Sequence, residues 1–309
     1  MSKMNKERVY PLLSILLLFV VAPLLAALIS PWIYQGLQAV APADSVLDAP
    51  FHRVTSRVVL VMVLVLLYPA CRFGGFRRRE DIGLVRDPRA GRLAGFGFLI
   101  GAVSMLAIYL PAVAMGVFRW DVAGVPLAKH LLKPLAITAG ALFVGVFEEI
   151  LFRGFIFGAL RKSLGLAAGV LIGSLFFSIV HFMRPLDPEV VNAWNSGFML
   201  FERLFARAGD AFLQEALTLF GMGVVLSMLF VWTRSLYLVI GLHAGWVWVM
   251  MLFRHFVQNT VTLPWLYGSN EWVSKAWIGP IAAVIFLAAA WLTRAYWGNR
   301  AVSATSPPS

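Results

Sequence analysis

The chain has 309 residues, 60% of them hydrophobic and only 13% charged, with a mean hydropathy of +0.81 and a formal net charge of +11. A soluble domain is about half apolar and about a quarter charged, so this chain carries too few polar residues to cover a globule. The positive charge does not point to nucleic acid, because the basic residues cluster at the ends of apolar runs, where they act as topology signals facing anionic lipid.

Eight apolar runs of transmembrane character follow one another, at roughly 10–30, 58–71, 93–118, 134–160, 164–183, 213–232, 235–253 and 276–297. The expected fold is therefore all-α, a polytopic membrane helix bundle of about eight transmembrane helices forming one domain over 1–297. The first run follows Lys3, Lys6 and Arg8 as a signal peptide would, but at about 20 residues it is long for a signal core and is read as a span. The second is short and ends at the basic cluster FRRRED, 76–81; it either begins before Arg57 or crosses only in part. The stretch GFGFLIG at 95–101 lies inside the third run and reads as helix packing rather than a phosphate loop. Cys71 is the single cysteine, which excludes an intrachain disulfide.

With the N-terminus inside, the inner segments collect Arg72, Arg77, Arg78, Arg79, Arg86, Arg89, Arg92, Arg161, Lys162, Arg234, Arg294 and Arg300 beside the N-terminal cations, so both termini are expected in the cytoplasm. Between the fifth and sixth runs, Val191, Trp194, Phe198, Phe201 and Phe205 recur at three- and four-residue steps. An amphipathic insert over about 189–208 fits, lying either in the interface or over the bundle. The polar tail 298–309 is expected to be disordered and cytoplasmic.

The fourth run contains FEEILFRGF at 147–155. Each charge near the centre of a membrane helix costs roughly 2.5–3.5 kcal/mol, so Glu148, Glu149 and Arg153 need compensation. Glu149 and Arg153 are four apart on one face with the acid N-terminal, the better orientation for an ion pair. Glu148 points about 100° away, on a face shared with Gly145, Phe152 and Phe155. An ionisable residue so placed marks a functional site; the alternative is a polar contact between helices. His181 and His243 also lie in apolar runs, and at about 1.5 Å per residue all three can share a layer near mid-membrane. A carboxylate and an imidazole can hold a water and accept its proton, and a second imidazole can donate to an oxyanion. Proton relay and a zinc site use the same residue types. HExxH and GxSxG are absent from the sequence.

In this order the motifs resemble those of the CPBP family, which joins type II CAAX prenyl endopeptidases with bacteriocin-processing relatives. EExxxR is matched by Glu148, Glu149 and Arg153, FxxxH by Phe177 and His181, and the third motif by His243; the likeness covers about 134–255. The resemblance implies a glutamic intramembrane protease without metal or cofactor. Glu148 would activate water with help from His181, and His243 would bind the oxyanion. Glu149 would pair with Arg153 and hold the helix in register, and Phe177 would pack beside the site. One position departs: where the family has Asn or Asp four residues after the last histidine, this chain has Val247. Trp246 and Trp248 carry N–H groups that could replace the missing donor. The expected partners are the lipid bilayer and a membrane-associated protein or peptide substrate, in a bacterial inner membrane. The rival readings are a non-proteolytic relative with an immunity, chaperone or scaffold role, a proton-coupled transporter and a zinc enzyme.

Overall fold

Inside a bilayer the backbone finds no water to bond, so an apolar run must satisfy its own N–H and C=O groups, which a helix does. The computed structural model describes residues 3–40, 49–121, 127–183, 195–202 and 211–295, and most of them are helical. Among the described residues six helices are long and apolar enough to cross a membrane, and two further apolar helices are shorter. This is the architecture of a polytopic membrane protein. The tail 298–309 and, within 189–208, the residues on either side of 195–202 lie outside the described residues.

The described residues fall into two units: Met1–Arg77 with Lys162–Gly165 and Ile179–Gly209, and Arg78–Arg161 with Leu166–Ser178 and Asp210–Ser309. In the first unit α1 (Lys3–Val40) packs along α2 (Phe51–Phe73). At 38 residues α1 is about 57 Å long, well beyond the roughly 30 Å of hydrocarbon in a bilayer, so it extends past both ends of the apolar run at 10–30. The second run is part of a full-length helix that starts at Phe51, before Arg57.

The second unit is built on α3 (Ala90–Ala114) and α4 (Leu127–Glu149). The span of α4 continues through a π-helical stretch, Ile150–Phe157, into α5 (Gly158–Leu164), whose last residues belong to the first unit. A glycine turn at Gly165 (φ +94) leads into α6 (Leu166–His181). In the first unit α7 (Ser196–Glu202) brings Gly197 against the Ala27 carbonyl of α1, so this part of the expected amphipathic insert packs on a neighbouring helix. Back in the second unit come α8 (Phe212–Thr233), α9 (Leu236–Phe256), the one-turn α10 (Pro264–Tyr267) and α11 (Ile278–Leu292). The all-α expectation needs one addition. Phe118–Trp120 (β1) and Val257–Asn259 (β2) form a small antiparallel ribbon where α3 and α9 end. Beside it Tyr109 stacks on Phe253 and donates to the Glu271 carbonyl at 3.0 Å.

Helix α9 is the centre of this unit and is buried along most of its length. Small residues make that possible, because lipid tails are as apolar as leucine and membrane helices associate through close backbone packing. Gly97 and Gly101 of α3 sit against the Leu238 and Leu242 carbonyls of α9. Gly241 and Gly245 of α9 answer against the Ala94 and Phe98 carbonyls of α3. On the side of α4, a methyl at Gly145 would come within 2.8 Å of both the Ala244 side chain and the Ile240 carbonyl. The outward faces are apolar as well: Leu99 and Val103 on α3, Leu135 and Phe143 on α4, Val284 and Ile285 on α11. In a bilayer these are the lipid-facing surfaces.

The two glycines at the start of GFGFLIG should therefore behave oppositely. Gly97→Ala should cost up to about 3 kcal/mol, since overpacking a fixed contact costs 1–3 and here the obstacle is backbone. Gly95 has nothing within 4 Å, so Gly95→Ala should be neutral or stabilise by up to about 1 kcal/mol through helix propensity. Thermal unfolding of the detergent-solubilised variants, read by loss of the monodisperse chromatographic peak, checks both.

Candidate active site

Glu148 and Glu149 end α4, and the π-helical stretch begins at the next residue. Wide turns of this kind inside α-helices occur often at functional sites. Gly154, in the middle of the stretch, leaves room for the Ile82 carbonyl, 2.9 Å from where its Cβ would stand. That carbonyl belongs to the short 3-10 turn Arg79–Ile82 which follows the basic cluster. The turn is held by the Arg78 N–H donating to Asp81 at 2.9 Å, and by the Leu236 N–H donating to the Gly83 carbonyl at 3.0 Å.

Arg153 Nη1 donates to Glu149 Oε1 at 2.9 Å, and His243 Nδ1 lies 2.7 Å from the same oxygen. Glu149, Arg153 and His243 are all buried. The carboxylate oxygen accepts, so Nδ1 is the donor and Nε2 is the ring nitrogen left to face outward. Nε2 lies 3.8 Å from Glu148 Oε2, and the Glu148 side chain keeps 20% of its surface exposed while that of Glu149 keeps none. Two adjacent carboxylates therefore differ in setting: one is enclosed by a guanidinium and an imidazole, the other stands at the edge of the enclosure.

Phe177 closes the cluster from α6. Its ring receives the Arg153 guanidinium, 4.4 Å from the ring centre, and meets His243 edge-on at 6.0 Å and Phe152 at 5.0 Å. A guanidinium over a ring face is favourable, and the same ring limits where the imidazole can turn. The packing of α9 sets its height: His243 lies between Gly241 and Gly245, which hold α9 against α3, and next to Ala244, which meets Gly145 on α4.

The structure thus brings together Glu148, Glu149, Arg153, Phe177 and His243. His181 is the last residue of α6, half-buried, and is grouped with the first unit. Val247 is half-buried on α9. The two tryptophans considered as replacement donors have their N–H groups bonded to neighbouring helices in this structure. Trp246 Nε1 donates to Ser104 Oγ on α3 at 3.0 Å, and Trp248 Nε1 to Thr138 Oγ1 on α4 at 2.9 Å. A buried indole N–H without an acceptor is unfavourable, and the neighbouring helices supply one in each case.

Two features were missed from sequence. The reach of Glu149 to His243 joins residues 94 apart, and nothing in the spacing of either motif signals it. Glu215, buried in the first turn of α8 with Lys275 Nζ 3.8 Å from it, is a further carboxylate inside an apolar run. Its signal, one acid among the apolar residues of 213–232, was present in the sequence. Among the described residues no three histidine, cysteine or carboxylate side chains are grouped as a metal ion would need.

Residues 130–249 match the family model described as type II CAAX prenyl endopeptidase Rce1-like. The match bears out the resemblance to the CPBP family and contains Glu148, Glu149, Arg153, Phe177, His181 and His243. No curated protein and no solved structure matches the chain.

Proposed function

We propose that this chain is an intramembrane endopeptidase of the glutamic type, hydrolysing a peptide bond of a membrane-associated protein or peptide. The observation that carries the reading is Glu148 facing the Nε2 of an imidazole whose other nitrogen is clamped by a buried Glu149–Arg153 pair, inside the segment that matches a family of prenyl endopeptidases.

In this reading Glu148 takes a proton from a water, and the water oxygen bonds to the scissile carbonyl carbon. The carbonyl oxygen becomes an oxyanion. As the C–N bond breaks, the proton on Glu148 passes to the leaving amine, which restores the carboxylate. In this reading His243 carries a proton on each ring nitrogen. Its Nδ1 then donates to Glu149, and its Nε2 donates to the oxyanion. From the resemblance of its FxxxH motif, His181 would help Glu148 activate the water. Glu149 and Arg153 position His243 and do not touch the substrate. The basic segments support an orientation with both termini in the cytoplasm.

One observation favours a second reading. Val247 offers no donor at the position where the family has Asn or Asp, and losing one oxyanion donor slows other hydrolases by about 10²–10³. A non-proteolytic relative that binds membrane partners would tolerate that loss. Comparing peptide termini across the membrane and secreted proteomes of host cells with and without this chain separates the two. A protease leaves one or a few new termini that vanish with the chain, and their sequences identify the substrate. Identical sets of termini, with the chain expressed at its normal level, would exclude the proteolytic reading.

A further inference from the structure

At the end of α2 in the first unit, Gly74 and Gly75 turn the chain, Gly75 with φ +79. The turn opens a cavity of about 520 Å³ lined by Glu7, Tyr10 and Pro11 of α1, Phe73 of α2, Gly74 and Gly75, Arg77 and Lys162. Lys162 is held at its rim: Nζ donates to the Gly75 carbonyl at 3.4 Å and stands 3.7 Å over the Phe76 ring. The Arg77 carbonyl is tied in turn by Arg72 Nη1 at 3.4 Å. Tyr10 and Phe73 pair at 5.2 Å between ring centres and form the apolar wall. Beyond Tyr10, α1 continues with Leu13, Leu16 and Leu17 exposed.

We infer that this cavity binds the phosphoethanolamine headgroup of a membrane phospholipid. The lining holds two cations and one carboxylate, and phosphoethanolamine carries one charge of each sign. Its phosphodiester is attracted to Arg77 and Lys162, and its primary ammonium can donate to Glu7. A headgroup that is only anionic would meet the same cations but be repelled by Glu7. A choline headgroup would fit the charges but offer Glu7 no N–H. The lipid, rather than a free phosphodiester, is indicated by the apolar wall and by the exposed leucines of α1, along which acyl chains can lie. The basic cluster beside the cavity is expected on the cytoplasmic side, where lipid headgroups meet cationic side chains at the ends of membrane helices.

The test uses the purified full chain in nanodiscs of equal phosphatidylethanolamine, phosphatidylglycerol and phosphatidylcholine, with the lipid that stays bound identified by native mass spectrometry. Wild type should retain phosphatidylethanolamine above the other two. Arg77→Ala and Lys162→Ala should each lower that retention by about two- to fivefold, the range an exposed ion pair allows. Glu7→Gln should move the preference to phosphatidylglycerol. Millimolar glycerophosphoethanolamine should displace little. Arg77 lies outside regular structure and both it and Glu7 are exposed, so these two variants keep the test valid if Lys162→Ala lowers the unfolding temperature. Equal retention of the three lipids would overturn the inference, as would an unchanged preference in Glu7→Gln. Ready displacement by glycerophosphoethanolamine would overturn the lipid and leave a site for a soluble phosphodiester.

Discussion

Glu148→Gln should remove the proposed proteolysis while leaving the fold intact: cleavage is expected to fall by at least about 10³-fold, within the range for losing a general base. Glutamine keeps the shape of the side chain and its place beside His243 Nε2, but its amide cannot take the proton of a water or return it to the leaving amine. The fold should survive because the buried ion pair belongs to Glu149, which this change does not touch. The measurement is single-turnover cleavage, in proteoliposomes, of the substrate identified from its termini, with the unfolding temperature recorded alongside. A variant that unfolds as wild type and cleaves within tenfold of it would rule out Glu148 as the base.

Glu149→Gln should be the most destabilising single change at the site. It leaves the Arg153 guanidinium buried without its carboxylate, and breaking a buried pair by removing one partner costs about 3–5 kcal/mol. His243 Nδ1 loses its anionic acceptor in the same step, so activity should fall with stability. The double variant Glu149→Gln/Arg153→Met separates the two effects. With both charges gone most of the stability should return, because a buried pair contributes little net beyond an apolar replacement, whereas cleavage should stay low because His243 is no longer held by a charge. Denaturant titration of the four combinations in mixed micelles gives the coupling energy, and single-turnover rates give the activity. A single variant within about 1 kcal/mol of wild type, or a double variant with wild-type cleavage, would show that Glu149 does not clamp His243.

The difference between these two glutamates marks how far the sequence could be read. That Glu149 and Arg153 stand on one face follows from their spacing, because four residues return almost to the same side of a helix. That Glu148 stands apart from the pair follows from the same geometry. The third partner of the cluster does not follow, because His243 reaches Glu149 from another helix, and its height depends on how closely the glycines of α3 and α9 let two backbones approach. The tryptophans show the same limit. An indole N–H in an apolar run must find an acceptor, but its identity as Ser104 or Thr138 depends on which helices are neighbours. The π-helical stretch left no mark either, since ILFRGFIF is as apolar as the helix around it.

By itself, the sequence determined that this chain crosses a membrane repeatedly, that charges buried at Glu148, Glu149 and Arg153 need a reason, and that its motifs resemble those of a family of intramembrane proteases. Length, hydropathy and helical periodicity are local properties, and a bilayer leaves an apolar run almost no alternative to a helix. Only the tertiary structure decided that Glu149 serves Arg153 and His243 at once, that Glu148 is the carboxylate at the edge, and that Trp246 and Trp248 are engaged elsewhere. Those outcomes depend on contacts between helices far apart in the chain, and the packing of small residues against backbone carbonyls selects among them.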